Sequence, residues 1–211
     1  MKKRFLRKLN EMPLIGIFRG ITPEEAEAIV GAAIENGILI AEVPLNSPDP
    51  LLSIERLVKR FGDDVIVGAG TVTTVDDVIA VANSGGQIVV TPYARRDVVK
   101  KAKELGLAAV SGALTPTEIA EMHDCGADAV KVFPAEMVSP MMIRAMRAVL
   151  PKSLPLIPVG GINIENMADY LNAGANGFGL GSALYRKGDS AVIVAENVAT
   201  FVRRMKELSG S

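Results

Sequence analysis

The chain holds one cysteine, Cys125, one histidine, His123, and no tryptophan. A lone cysteine excludes a disulfide within the chain and speaks against a thiolate metal cluster. A lone histidine cannot build a histidine-rich metal site. Both residues lie just before Gly126, at the end of a helical pattern, where a structural role is the plainer reading. An excess of charge of one sign is also missing. The formal net charge is −1, which leaves no basic footprint for nucleic acid and no general pull toward an anionic membrane. A locally positive pocket for a small anion is compatible with that balance. No apolar run reaches the length of a bilayer span. The first ten residues are basic, but no apolar stretch follows before Pro13 and Arg19. No signal peptide is therefore expected, and a reducing, cytoplasmic setting is. A short amphipathic helix over 1–11, covering one end of the domain, accounts for that segment.

What is present fits a globular domain. Hydrophobic residues make up 49% and charged residues 22% of 211 positions, enough for one core and a single domain over 1–211. Short β-branched runs alternate with longer helical patterns. Strands are expected over 14–18, 38–43, 65–68, 87–91, 108–111, 129–133, 156–159 and 177–180. Helices are expected over 23–36, 50–61, 74–84, 95–105, 116–125, 140–149, 164–173 and 192–208. Eight strand–helix units with short connections predict a closed parallel (β/α)8 barrel. Thr22-Pro23-Glu24-Glu25 and Thr115-Pro116-Thr117-Glu118 read as helix starts, each with a cap, a proline at the first turn and a glutamate at the third position. Ser139-Pro140 is a third cap. Glycines recur five residues before strand ends: Gly37 before Glu42, Gly86 before Thr91, Gly106 before Ser111 and Gly126 before Lys131. As helix C-caps, they place those four residues at equivalent heights near the mouth, where such barrels gather their chemistry.

Lys131 stands out. It ends the apolar run Ala127-Asp128-Ala129-Val130-Lys131-Val132-Phe133-Pro134. An ammonium loses water on burial, which lowers its pKa, and a neutral amine attacks a ketone. Strand alternation puts Ala129 and Lys131 on one face, leaving room beneath the amine. A lysine whose stem packs in the wall while its amine reaches solvent is the plainer reading. Phe133 and Pro134 extend the run into an apolar lip, which favours an enclosed amine. Glu42 holds the matching place after Ile38-Leu39-Ile40-Ala41. It reads as a buried partner of Arg19 or Lys131, or as a general acid/base that shuttles protons. The two readings are compatible, because a pair also sets each other's pKa. Arg19, at the end of the first strand, fits a carboxylate or phosphate bidentately, or orients Glu42.

Two glycine pairs follow the last two strands: Val159-Gly160-Gly161-Ile162 and Gly179-Leu180-Gly181-Ser182. Barrels often hold a phosphate there on backbone amides. Tight loops over a crowded mouth would also explain them. The hydroxyls of Thr71 and Thr91, closing the third and fourth strands beside Gly70 and Pro92, are candidates for a substrate carboxylate. Met137, Met141, Met142 and Met146 read as core or subunit-interface filler.

Taken in order, these segments resemble the class I KDPG/KHG aldolase family, and more closely its 2-dehydro-3-deoxy-6-phosphogalactonate aldolase branch. The resemblance runs from about Pro13 to Val202. It rests on Ile17-Phe18-Arg19-Gly20, Glu42-Val43-Pro44-Leu45-Asn46-Ser47-Pro48, Gly68-Ala69-Gly70-Thr71-Val72 and Val90-Thr91-Pro92. It continues through Val130-Lys131-Val132-Phe133-Pro134-Ala135, Pro158-Val159-Gly160-Gly161-Ile162 and Gly179-Leu180-Gly181-Ser182-Ala183-Leu184-Tyr185. The resemblance implies a TIM barrel, a cytoplasmic homotrimer, and a Schiff base between Lys131 and the substrate ketone. It implies Glu42 as general acid/base, with Arg19 beside it. Thr71 and Thr91 would line the pyruvate end, with Pro92 and Phe133 among the substrate-binding residues. Gly160, Gly161, Gly181 and Ser182 would receive a phosphate. No metal or organic cofactor is implied. The ligands implied are a phosphorylated 2-keto-3-deoxy sugar acid, pyruvate and glyceraldehyde 3-phosphate.

The gluconate-type enzymes typically carry Glu-Val-Thr-Leu-Arg after the second strand, where this chain has Glu42-Val43-Pro44-Leu45-Asn46. Asn46 thus takes the place of a phosphate-binding arginine and is a less certain ligand. They typically carry Thr-Gly-Gly where this chain has Val159-Gly160-Gly161. A threonine hydroxyl favours one C4 configuration by a hydrogen bond, and valine cannot. A gluconate-type or 4-hydroxy-2-oxoglutarate aldolase is the alternative activity. A non-catalytic, phosphate-ligand-binding barrel is the remote one.

Overall fold

A computed structural model describes residues 1–210; position 211 lies outside the described residues. Eight parallel strands form one sheet: β1 (Leu14–Ile17), β2 (Ile40–Pro44), β3 (Ile66–Gly70), β4 (Ile88–Val90), β5 (Ala108–Ala113), β6 (Ala129–Val132), β7 (Leu156–Pro158) and β8 (Phe178–Leu180). Each strand lies beside its sequence neighbour, and β8 returns to pair with β1. A parallel bridge between Val159 and Gly179 joins β7 to β8 and completes the ring. This is the expected TIM barrel. A helix α1 (Lys2–Glu11) precedes it. The crossover helices are α2 (Pro23–Glu35), α3 (Pro50–Phe61), α4 (Val75–Asn83), α5 (Arg96–Glu104), α6 (Pro116–Asp124), α7 (Pro140–Arg147) and α8 (Met167–Asn172), with α9 (Ala191–Ser209) last.

Strand alternation sorts the apolar residues into two cores. Ile15, Ile17, Ile40, Ile66, Ile88, Val90, Ala108, Val110, Ala129, Ile157 and Val159 fill the barrel, together with Phe5 and Leu9 of α1. Ala41, Val43, Val67, Ala69, Val89, Ala109, Val130 and Val132 point the other way, into the layer beneath the helices. Each buried Val or Ile contributes about 1.5–3 kcal/mol of transfer free energy. The basic N-terminal segment therefore forms the expected helix, and its apolar stripe plugs the barrel floor. Arg4 fastens it by donating to the carbonyls of Gly62, Asp63 and Val65. Among the described residues, no helix is long and apolar enough to cross a membrane.

The expected caps at Thr22 and Thr115 are present with their reciprocal glutamates, and Ser139 accepts the Met142 N–H. Element ends shift by at most two residues from the expected bounds, apart from one helix start, and one glycine cap moves. The helix expected over 164–173 begins only at Met167. Asn163 and Asn166 exchange side-chain-to-backbone hydrogen bonds there, and these compete with the first helical turn. After α4 the left-handed position falls on Gly85 (φ 77°), not on Gly86.

Candidate active site

Lys131 and Glu42 enter the barrel interior from strands on different sides of the ring. Lys131 shares a face with Ala129, and Glu42 with Ile40, both residues of the inner core. Their relative exposures are 6% and 1%. Among the described residues, no ion pair within 4.0 Å joins either of them to another side chain. The direct salt bridge expected as one reading of Glu42 is thus not formed. One carboxylate oxygen of Glu42, Oε2, is buried without a hydrogen-bond partner. Burial pushes the Glu42 carboxyl up to about 7, against the opposing pull of Lys131, Arg19 and the Gly70 amide. Burial likewise lowers Lys131 from its ordinary value; Glu42 works against that shift and the Arg19 charge adds to it. The amine is shifted toward its nucleophilic form and the carboxyl toward a group that exchanges protons near neutrality.

The neighbours hold this pair in place. Gly70 packs so closely on the Glu42 carboxylate that any side chain there would overlap it. The next residue, Thr71, is half-buried and has φ 55°, a backbone conformation costly for a β-branched side chain. Arg19 is exposed at the mouth and donates to Asn46 Oδ1 at 2.8 Å. Asn46 therefore acts on Arg19, a link that the sequence motif alone did not reveal. The Phe133 ring lies over the Lys131 ammonium, 4.8 Å from Nζ to the ring centroid, and is 40% exposed. It forms the expected apolar lip.

Two expected positions turn away from the cavity. Ser111 follows the inward Val110 on β5 and points outward, fully buried. Thr91 follows the inward Val90. Its hydroxyl donates to the Tyr93 carbonyl at 2.7 Å and accepts the Gly112 N–H at 2.9 Å. That hydroxyl is a brace between the β4 and β5 ends. The equivalent heights expected from the recurring glycines thus deliver two cavity-facing residues, not four. Pro92 is half-buried in the same brace, its backbone against Gly112.

Val159 belongs to the inner core at 7% exposure and reaches over Gly179. Gly160 and Gly161 follow with φ of 106° and 65°. The exposed Glu136 side chain lies against both of them, and its flexible carboxylate end can swing clear of the turn. Nothing in the sequence pattern flagged Glu136 as a neighbour of that turn. Just after β8, the Gly181 carbonyl accepts the N–H groups of Leu184 and Tyr185, while Ser182 is exposed. Among the described residues, no group of three or more His, Cys, Asp or Glu side chains is placed to hold a metal ion.

A closed barrel with a desolvated amine and a desolvated carboxyl at one mouth has the make-up of a Schiff-base lyase. Comparison with known proteins gives that class a family. Residues 5–203 match the model of the KDPG and KHG aldolases. Over 198 residues the chain is 43% identical to the 2-dehydro-3-deoxy-6-phosphogalactonate aldolase of Escherichia coli (strain K12), covering 94% of this chain and 97% of that one. The 2-dehydro-3-deoxy-phosphogluconate aldolase of Haemophilus influenzae (strain ATCC 51907 / DSM 11121 / KW20 / Rd) is 29% identical over 170 residues, covering 80% of this chain and 79% of that one. A solved structure described as native KDPGal superposes with a TM-score of 0.93 at 42% identity, covering 95% of this chain and 98% of that one. The chain belongs to the KDPG and KHG aldolase family, and it is a carbon–carbon lyase of the class I, Schiff-base type.

Proposed function

We propose that the chain, as one aldolase domain, cleaves 2-dehydro-3-deoxy-6-phospho-D-galactonate reversibly to pyruvate and D-glyceraldehyde 3-phosphate. The observation that carries this reading is that buried Lys131 and buried Glu42 both face the barrel interior and act on each other's charge, with burial moving the carboxyl to about 7. Neutral Lys131 attacks C2 of the keto acid. Glu42 moves protons as the carbinolamine forms and loses water, directly or through a bound water. The protonated imine is the electron sink. Loss of the C4 hydroxyl proton to Glu42 or its water lets the C3–C4 bond break, and the aldehyde leaves. The enamine then takes up a proton, and water hydrolyses the imine to release pyruvate. The imine is covalent, and the reading invokes no metal or organic cofactor.

Arg19, Thr71 and Phe133 surround the pyruvate end in this reading. Gly160, Gly161, Gly181 and Ser182 take the phosphate. Asn46 steadies Arg19, and the brace made by Thr91 and Pro92 shapes the wall. Val159, with no hydroxyl to offer, favours the galactonate configuration at C4. The higher identity to the galactonate-type relative than to the gluconate-type one supports this choice. Pyruvate release from each phosphorylated C4 epimer tests it. The galactonate epimer is expected to turn over faster, and Val159→Thr to move the ratio toward the gluconate epimer by about tenfold. Faster turnover of the gluconate epimer by the parent chain would overturn the assignment.

The assembly we propose is a homotrimer in the cytoplasm. Met141, Ala145 and Ala148 lie along one stripe of α7 and its end, with Met137 and Val149 beside it. Met137, Met141 and Val149 are 68%, 78% and 72% exposed. A continuous apolar stripe on a helix face calls for a cover. Light scattering should give three times the chain mass, and Met141→Lys should lower it; a monomeric parent chain would contradict the proposal.

A further inference from the structure

We propose that Tyr185 is a positioning residue for phosphate binding, tying the β8 turn to the loop that carries Arg19. The inference rests on the reading that Gly181 and Ser182 receive a phosphate. Tyr185 is 3% exposed and makes three contacts, one through its backbone and two through its side chain. Its N–H donates to the Gly181 carbonyl at 3.0 Å, closing the turn that presents Ser182. Its hydroxyl donates to Glu25 Oε1 at 3.0 Å, across 160 residues of chain. Its ring packs on Phe18, the residue before Arg19, with centroids 6.0 Å apart.

Glu25 is already committed to the other side. Its Oε1 accepts the Thr22 N–H at 3.1 Å, as part of the capping box that starts α2. The residues between Arg19 and that cap form the β1 loop. Gly20 in this loop donates to the buried Ser47 hydroxyl at 2.9 Å, and Ser47 lies next to Asn46. One chain of contacts thus runs from the β8 turn through Tyr185, Glu25 and Thr22 to Gly20, Ser47 and Asn46. It fixes the spacing between the exposed Ser182 and Arg19. Burial, and then the bond to Glu25, raise the Tyr185 phenol above its ordinary range, so it stays a donor. A buried hydroxyl bonded to a carboxylate holds its geometry better than a surface contact does.

The test compares a phosphorylated 2-keto-3-deoxy acid with its non-phosphorylated counterpart, using Tyr185→Phe, Glu25→Gln, Glu25→Ala and Ser182→Ala. Tyr185→Phe keeps the ring and loses only the hydrogen bond. It should raise KM for the phosphorylated substrate about five- to tenfold and weaken competitive inhibition by inorganic phosphate equally. Its kcat, and kcat/KM for the non-phosphorylated acid, should stay within about twofold. Glu25→Gln keeps the acceptor and should behave like the parent chain, whereas Glu25→Ala should repeat the Tyr185→Phe pattern. Equal losses on both substrates, or no loss on either, would overturn the inference. If Tyr185→Phe fails to fold, the Glu25 pair reads the same bond from its other end. Ser182→Ala separates the two levels. If it leaves KM for the phosphorylated substrate unchanged, the phosphate site itself is misplaced. If it raises that KM while Tyr185→Phe and Glu25→Ala do not, only the role of Tyr185 fails.

Discussion

The Glu42 carboxyl sits in the barrel without an ion-pair partner, and burial moves it from 4.5 to about 7. The native chain therefore keeps a proton that the unfolded chain releases above about 4.5, so the contribution of Glu42 to stability falls as pH rises through that window. A neutral glutamine escapes the effect. Glu42→Gln is expected to be more stable than the parent by about 3–4 kcal/mol near pH ~8.5 and about equal to it near pH ~4, measured by urea unfolding. A gap that does not grow with pH would show that the carboxylate carries no burial cost. The same titration predicts that kcat/KM for cleavage falls as pH drops below about 7, and that Glu42→Gln loses this limb along with most activity.

Lys131 and Glu42 were legible in the sequence because a charge in a period-two apolar run has only two sides to choose from. Thr91 and Ser111 share that height but face the other side, for a reason of the same kind. Strands β2 and β6 begin three residues after their glycines, Gly37 and Gly126, whereas β4 and β5 begin two residues after Gly86 and Gly106. Each of these strands begins on an inward residue. A constant offset of five therefore lands inside for Glu42 and Lys131 and outside for Thr91 and Ser111. The contacts of Glu136 with Gly160 and of Asn46 with Arg19 were not legible, because they join separate loops.

Among the elements, α1 closes the barrel floor with two side chains. Phe5 and Leu9, at 0% and 1% exposure, complete the inner core from below. Asp128, just before β6, adds a polar fastening by accepting from the Lys103 ammonium at 2.5 Å and the Ala109 N–H at 3.0 Å. This is the face opposite the candidate site, where the residues of such barrels serve stability. Phe5→Ala should cost about 3–5 kcal/mol in a denaturant melt while leaving kcat within about twofold at a temperature where the variant is folded. A selective loss of kcat in folded protein would show that the floor reaches the chemistry. The helix starts were legible from local caps. The late start of α8 was not, since the Asn163 and Asn166 side chains outcompete a helical pattern that reads as continuous.

On the scale of the whole molecule, eight alternating units predicted a ring, and the pairing of β8 with β1 delivers it. Closure turns Lys131 from β6 toward the same barrel interior as Glu42 from β2, 89 positions earlier in the chain. Imine trapping reports whether that amine is the one that reacts. The protein would be incubated with pyruvate and borohydride, digested, and the adduct located by mass spectrometry. One reduced pyruvyl adduct is expected on Lys131, absent from Lys131→Ala, which should also lose cleavage activity without losing its fold. Cleavage that continues unchanged in borohydride, or an adduct on another lysine, would contradict that role for Lys131.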